Sequence, residues 1–206
     1  KSVDFFIYSS DTLFGTVSFE RLNTGGVKLT DQEIRNCIFK GDFINFIKEL
    51  SQRPDFLNTV KLNSQQKTDG TAEEFVLRFF ACVYDKNAFE HSVKDFLNKY
   101  AEKASNQFNF RQAEQIFVET FAQLNRLPHG IVKAAGKSST SVVLFEAVAV
   151  GAAEAILNGI HELNLETFYD WVSFPEFSRL ITGATNSKPK FVKRIEFCFN
   201  KFSSAR

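Results

Sequence analysis

The stretch from Phe19 to Asn36 constrains the fold most, because it specifies where one helix ends and the next begins. It reads FERLNTGGVKLTDQEIRN. Gly25 can adopt the left-handed backbone conformation that ends a helix, and Gly26 allows another group to approach the backbone closely. Thr30 and Glu33 have the spacing of a capping box, in which each side chain satisfies a free backbone N–H of the other. The sequence therefore predicts a glycine turn followed by a helix that begins near residue 30.

The same turn also carries the chemistry of an anion site. The backbone N–H groups of Gly25 and Gly26 would lie beside the cation of Arg21 and the polar side chains of Asn23 and Thr24. In a nucleotide site, Arg21 would contact phosphate, Asn23 would form side-chain hydrogen bonds, and the glycines would donate from the backbone. A purely architectural helix–turn–helix corner would use the same residues without any ligand. The local pattern leaves both interpretations open.

Residues 19–36, here called the signature segment, resemble the internal signature of a bacterial family known as domain of unknown function family 262. This family is also described as the N-terminal domain of GmrSD-type restriction endonucleases. Four later segments are similar to the family in the same order, at 75–85, 96–104, 145–151 and 185–196. The resemblance implies a ParB/sulfiredoxin-like α/β core, commonly nucleotide-hydrolysing, followed by a helical region. It also implies a role in restriction or phage defence.

One hallmark of that family is missing from the 206 residues, namely an Asp-Gly-Gln-Gln-Arg run upstream of the signature segment, and no HNH-type nuclease motif follows. The resemblance therefore implies the C-terminal portion of such a protein. Residues 1–29 would be the end of the ParB-like core, with a strand near residues 2–9, and residues 30–206 a helical domain. The implied partners are the N-terminal core of the same protein, DNA, and a nuclease domain or subunit. The complete protein would bind a nucleoside triphosphate with Mg²⁺. This chain alone is expected to bind no cofactor.

Apolar spacing and caps predict a mainly α, multi-helix domain. The helices predicted most strongly are 30–39, 71–85, 110–126, 141–159 and 188–202. Thr71 and Glu74 repeat the capping-box spacing before the second of these helices. The polar, turn-rich stretch 58–70 is the best candidate for an internal linker. The longest apolar run, 141–160, contains two carboxylates and is expected to be a buried central helix rather than a membrane span, which leaves no membrane partner.

The composition indicates a core built on aromatic rings, since 25 of the residues are phenylalanine. The strongest helical stripes predict a main core of Phe75, Phe79, Phe80, Phe117, Phe121, Phe145 and Ile156. Three widely spaced cysteines (Cys37, Cys82 and Cys198) are expected to be reduced core residues of a cytoplasmic protein.

Residues with obvious catalytic chemistry are sparse. The three histidines (His91, His129 and His161) are not paired by spacing with a nucleophile or with metal ligands, and solvent-facing or structural roles are expected for them. No metal site and no complete set of catalytic residues is predicted. The catalytic residues of the complete protein therefore stay unassigned.

A second possible binding surface lies on the last predicted helix. Its polar side carries Lys190, Lys193, Arg194 and Lys201, where a phosphate backbone could dock. A merely solvated helix face is the competing interpretation, and the net charge of +1 argues against a nucleic-acid surface that covers the whole molecule. Two functions thus follow from the sequence: a nucleotide-hydrolysing, DNA-targeting protein, or a non-catalytic helical module for protein interaction.

Overall fold

The computed structural model describes residues 29–134 and 139–204, and within these ranges it contains ten α-helices and no β-strand. The helices are α1 (Asp31–Ile38), α2 (Asp42–Ser51), α3 (Pro54–Thr59), α4 (Thr71–Asp85), α5 (Val93–Asn106), α6 (Phe110–Leu124), α7 (Val142–Leu157), α8 (Phe168–Trp171), α9 (Pro175–Ile181) and α10 (Lys188–Ser203). The predicted mainly α, multi-helix fold is confirmed. All five strongly predicted helices are present, with ends that differ by at most two residues. The predicted strand and the ParB-like remnant lie outside the described residues.

Side-chain caps explain where several helices begin. Thr30 and Glu33 form the predicted capping box at the start of α1. Asn109 and Ser141 each accept a hydrogen bond from the backbone N–H three residues later, and so cap α6 and α7. The second predicted capping box is wrong. Thr71 is already inside α4, which follows Gly70 in a left-handed conformation (φ 79°), and the carboxylate of Glu74 is bound elsewhere.

Helix α7 lies at the centre and packs against α4, α6 and α10. Its side chains are buried from Leu144 to Ala153 on all sides, as expected for a helix enclosed by neighbours. Gly151 allows α10 to pass very close, because a Cβ at this position would lie 2.6 Å from the Cβ of Cys198 and 2.9 Å from the backbone N of Phe199. Within the described part of the chain, no helix is long and apolar enough to cross a membrane.

The aromatic core has the composition predicted for it, with one exception. All six predicted phenylalanines are buried, and their rings contact one another across α4, α6 and α7. The ring centroids of Phe117 and Phe121 are 4.4 Å apart, and those of Phe75 and Phe145 are 4.6 Å apart in an edge-to-face contact. Ile156, near the end of α7, is only partly buried against this core.

The predicted linker 58–70 is not a free connection. Val60 and Leu62 are buried in it. The carbonyl oxygen of Thr59 accepts a hydrogen bond from the N–H of Ile131, and that of Lys61 accepts one from the N–H of Thr140, both at 2.8 Å. The beginning of this polar stretch is therefore held against the connection between α6 and α7.

Two of the three cysteines lie where the sequence predicts. Cys82 and Cys198 are fully buried, but Cys37 is exposed, and that part of the prediction is wrong. The buried side of α1 includes Gln32 and Arg35, whose polar groups find partners inside the protein. Cys37 lies two residues beyond Arg35, about 200° around the helix, and so faces outward.

Candidate functional site

The predicted nucleotide-binding residues Arg21, Asn23, Thr24, Gly25 and Gly26 lie outside the described residues. Their roles therefore stay predictions. The C-terminal half of the signature segment, from Thr30 to Asn36, is described and forms most of α1. Its contacts show how the residues that follow the glycine turn are attached to the helical body.

Thr30 fixes the start of α1 in two directions. Its hydroxyl oxygen accepts a hydrogen bond from the backbone N–H of Glu33, and the Glu33 carboxylate accepts one from the N–H of Thr30 at 2.7 Å. The same hydroxyl donates to the carbonyl oxygen of Asp69 at 2.8 Å, immediately before α4. The capping box thus joins the signature segment to the start of α4 as well as starting α1.

Arg35 forms the second attachment and is 2% exposed. Its Nε donates to the side-chain oxygen of Gln32 at 2.9 Å, and one terminal nitrogen donates to Asn98 of α5 at 3.2 Å. The other terminal nitrogen pairs with the carboxylate of Glu74 on α4. A buried guanidinium is stable only when its donors are satisfied in this way, so Arg35 determines how α1 lies against α4 and α5.

Glu74 belongs to a larger network of ion pairs, here called the charge chain. Its members are Arg35, Glu74, Arg78, Glu146 and Arg194. Arg78 binds Glu74 at 2.8 Å and Glu146 of α7 at 2.7 Å. Glu146 also pairs with Arg194 of α10 at 2.5 Å. Alternating positive and negative groups therefore run from α1 through α4 and α7 to α10.

Burial and ion pairing shift the pKa values of arginines in the charge chain in opposite directions. Desolvation lowers the pKa of Arg35, although the attraction of Glu74 works in the other direction. Desolvation would also lower the pKa of Arg78, but Glu146 and Glu74 more than offset it, and the pKa of Arg78 is raised. The two carboxylates thus favour the charged form of Arg78 despite its burial.

Arg194 does not lie on the solvated face that the sequence suggested. Its side chain is 2% exposed, and besides Glu146 it donates to the carbonyl oxygen of Thr185 at 2.7 Å. Its Nε is buried without a hydrogen-bond partner among the described residues. The error arises because Arg194 follows Phe191 at helical spacing on the inner side of α10, where a buried glutamate receives it.

The three lysines of the predicted patch have different surroundings. Lys193 is exposed. The ammonium group of Lys190 donates to the carbonyl oxygen of Thr182 at 3.0 Å, and that of Lys201 lies 5.6 Å and 5.4 Å from the ring centroids of Phe174 and Phe197. The patch therefore offers one exposed ammonium group and two that also have partners within the protein.

Candidate reactive side chains do not converge in the described part of the chain. The three histidines are exposed, in agreement with the solvent-facing positions predicted for them. Burial raises the pKa values of Cys82 and Cys198 well above the usual thiol range, which disfavours the nucleophilic thiolate. No group of three or more His, Cys, Asp or Glu side chains that could hold a metal ion occurs there either.

Sequence reasoning missed the charge chain, although a signal for it was present. Glu146 interrupts the most apolar helix, and Arg78 lies between Leu77 and Phe79 in the apolar sequence of α4. A charge inside a helix that must be buried on all sides requires an opposite charge nearby. The partner itself is not visible in the sequence, because Glu146 and Arg194 are 48 positions apart.

Comparisons with family models, curated proteins and solved structures gave no match to this chain. The family resemblance consequently rests on the signature segment and the four later segments alone.

Proposed function

We propose that this chain is a portion of a bacterial ParB-like protein of the GmrSD type that hydrolyses a nucleotide and targets DNA in restriction or phage defence. In this proposal the helical body holds the signature segment, and residues Arg21 to Gly26 form one wall of the nucleotide site. Arg21 contacts phosphate, and Gly25 and Gly26 donate backbone hydrogen bonds.

The observation that carries the proposal is the position of the charge chain in the sequence. Arg35 lies in the signature segment, Arg78 in segment 75–85, Glu146 in segment 145–151 and Arg194 in segment 185–196. Asn98, which binds Arg35, lies in segment 96–104. The five separate segments on which the resemblance rests thus meet in one buried polar network, which supports interpreting them as parts of a single architecture.

The nucleotide part of the proposal is tested by magnesium-dependent hydrolysis of nucleoside triphosphates by the complete protein. Arg21→Ala should abolish turnover and leave the melting temperature nearly unchanged. Arg111→Ala, at an exposed position on α6, is a matched control that should change neither quantity. A large loss of stability with intact turnover would make Arg21 a structural residue, and the absence of turnover in the wild-type complete protein would refute nucleotide hydrolysis.

The DNA part of the proposal depends on Lys193 together with Lys190 and Lys201. Lys190→Glu combined with Lys193→Glu should weaken DNA binding by the complete protein and reduce its salt dependence, because fewer counterions would be released. Glu196→Lys, an exposed substitution on the same helix, serves as the control for a general charge effect. Unchanged binding in the lysine variant would show that this patch does not contact DNA.

The alternative function, a non-catalytic helical module for protein interaction, is favoured by a different observation. The buried ionisable groups of the charge chain bind one another, as in a structural network, instead of converging on an open cleft. The full-length gene separates the two proposals: an Asp-Gly-Gln-Gln-Arg run encoded upstream of Lys1 supports the enzyme, and its absence from the whole gene supports the module.

A further inference from the structure

A cavity of about 190 Å³ opens between the C-terminal end of α4, the second half of α5 and the start of α6. We call it the aromatic–amide cavity, after its walls: Tyr84, Tyr100, Phe108, Gln107 and Gln112. It is smaller than the roughly 300–1,000 Å³ of sites for drug-sized ligands, so its volume suits one small ring system. None of its lining residues belongs to the last helix.

Tyr100 supplies the polar group at the inner side of this cavity. The residue is only 5% exposed, and its ring packs edge-on against Phe43 with centroids 6.2 Å apart. Its hydroxyl has no hydrogen-bond partner in the part of the chain that the structure describes. Among the described residues it is not one of the buried side-chain atoms that lack a partner, so the hydroxyl is accessible from the cavity and can bond a ligand there. Burial also raises the pKa of Tyr100, and the hydroxyl therefore remains a hydrogen-bond donor at neutral pH.

Tyr84 provides a fixed aromatic wall. Its ring is stacked on that of Phe80, with an angle of 2° between the planes and 6.2 Å between the centroids, and 40% of the residue is exposed. Phe108 meets it edge-on at 6.4 Å. A ring held in place by two neighbours presents its surface to a ligand without losing further side-chain freedom, which favours stacking.

Primary amides also line the cavity. Asn109 is held by its role as the cap of α6, and its Nδ2 donates to the side-chain oxygen of Gln112 at 3.2 Å. This contact orients Gln112, whose Nε2 remains a donor for a ligand. Gln107 is exposed beside it. Carboxamides pair well with the edges of nucleobases, since both carry donors and acceptors side by side.

We propose that the aromatic–amide cavity binds a single nucleobase ring, which stacks on Tyr84 and forms hydrogen bonds with the Tyr100 hydroxyl and the Gln112 amide. An aromatic side chain of a partner protein would fill the same volume but would present no comparable row of donors and acceptors to the amides. The ring can come from a free nucleoside or nucleotide, or from an unpaired base of a single strand. The inference stands on this cavity alone and does not depend on nucleotide hydrolysis at Arg21.

The test measures whether four kinds of probe bind to the full chain. The probes are the common nucleosides, an eight-nucleotide single-stranded DNA of mixed sequence, the matching duplex, and N-acetyltyrosinamide. Nucleosides and the amide are followed by saturation-transfer NMR, and the DNAs by fluorescence anisotropy. If nucleosides bind more tightly than N-acetyltyrosinamide, the ligand is the base of a free nucleoside or nucleotide. Binding of the single strand without binding of nucleosides assigns it to an unpaired base.

Variants then locate the binding. Tyr84→Ala should weaken it about 5- to 150-fold, as expected for the loss of a stacking surface. Tyr100→Phe keeps the ring and should weaken binding about 2- to 10-fold through the loss of one hydrogen bond. Tyr84→Phe keeps the ring and removes only the hydroxyl, so it should retain binding. Phe174→Ala removes an aromatic residue with similar exposure (43%) from another surface and should have no effect.

Three results would overturn the proposal. The first is no binding of nucleosides or of the single strand. The second is binding that neither Tyr84→Ala nor Tyr100→Phe reduces. The third is N-acetyltyrosinamide binding at least as tight as nucleoside binding, or duplex binding that Tyr84→Ala weakens as much as it weakens single-strand binding. Failure here is distinguishable from failure of the proposed function, because the binding measurements do not involve turnover and the turnover assay of Arg21→Ala does not involve this cavity.

Discussion

Replacing Glu146 by alanine perturbs the most enclosed part of the charge chain. Glu146 is 4% exposed, and its two carboxylate oxygens bind different arginines, Arg78 at 2.7 Å and Arg194 at 2.5 Å. Its removal leaves two guanidinium groups close together without the negative charge between them. One of them, Arg194, already has an unsatisfied Nε among the described residues.

The expected cost follows from what remains after the substitution. Breaking a buried ion pair by removing one partner destabilises a protein by about 3–5 kcal/mol, because the surviving charge stays buried and uncompensated. For a chain of this length, 1 kcal/mol corresponds to a shift in melting temperature of about 2–4 °C. Glu146→Ala should therefore lower the melting temperature by about 6–20 °C.

Thermal and urea unfolding of the full chain measure this effect, and a double-mutant cycle with Arg194→Ala separates the pair from the loss of packing. The cycle should give a coupling energy of about 0.5–3 kcal/mol. Lys193→Ala, one residue from Arg194 but exposed, is the matched control and should change stability by less than about 0.5 kcal/mol. A loss below about 1 kcal/mol for Glu146→Ala would refute the reasoning, since it would mean that the two arginines do not need this carboxylate.

Three further predictions concern packing, thiol chemistry and pH. Gly151→Ala should destabilise the protein by about 1–3 kcal/mol in urea unfolding, because its methyl group would meet the backbone of α10; Leu157→Ala, 51% exposed on the same helix, is the control and should be nearly neutral. In native protein a thiol reagent should label Cys37 and spare Cys82 and Cys198, which become reactive only on unfolding; rapid native labelling of all three would contradict their burial. Burial raises the pKa of Glu73, so the folded state binds its proton more tightly than the unfolded state, and stability should fall as pH rises from the usual glutamate pKa through the raised one. Glu73→Gln should remove this component of the pH dependence and be neutral or slightly stabilising at pH 7; an unchanged pH profile would argue against it.

The mainly α fold was predictable because local signals agree with one another. In α6, the Asn109 cap, the apolar spacing through Ile116 and Phe117, and the following turn all indicate the same helix. The buried phenylalanines follow from the same spacing. Helix ends and inner faces depend on short-range geometry, which the sequence contains directly.

Two of the wrong predictions have a common physical origin, which is ion pairing between helices. Thr71 and Glu74 have the spacing of a capping box, but the Glu74 carboxylate is stabilised more strongly by Arg35 and Arg78 than by a backbone N–H. The sequence suggests that Arg194 lies on the polar side of the last helix, but it lies on the inner side and is buried because it pairs with Glu146 of another helix. Long-range charge pairing decides both cases, and a helical pattern contains no information about it.

The same pairing determines how experiments on the last helix must be interpreted. Arg194 and Lys193 are adjacent in sequence, and a charge reversal at either would remove positive charge from the predicted DNA-binding patch. At Arg194 it would also place a carboxylate against Glu146, and the disturbance would extend through Arg78 and Glu74 towards Arg35 in the signature segment. Loss of DNA binding in Arg194→Glu would therefore report a damaged fold as readily as a lost phosphate contact. Lys193, whose side chain is exposed and outside the charge chain, can distinguish electrostatic contact with DNA from the integrity of the network that holds α1 in place.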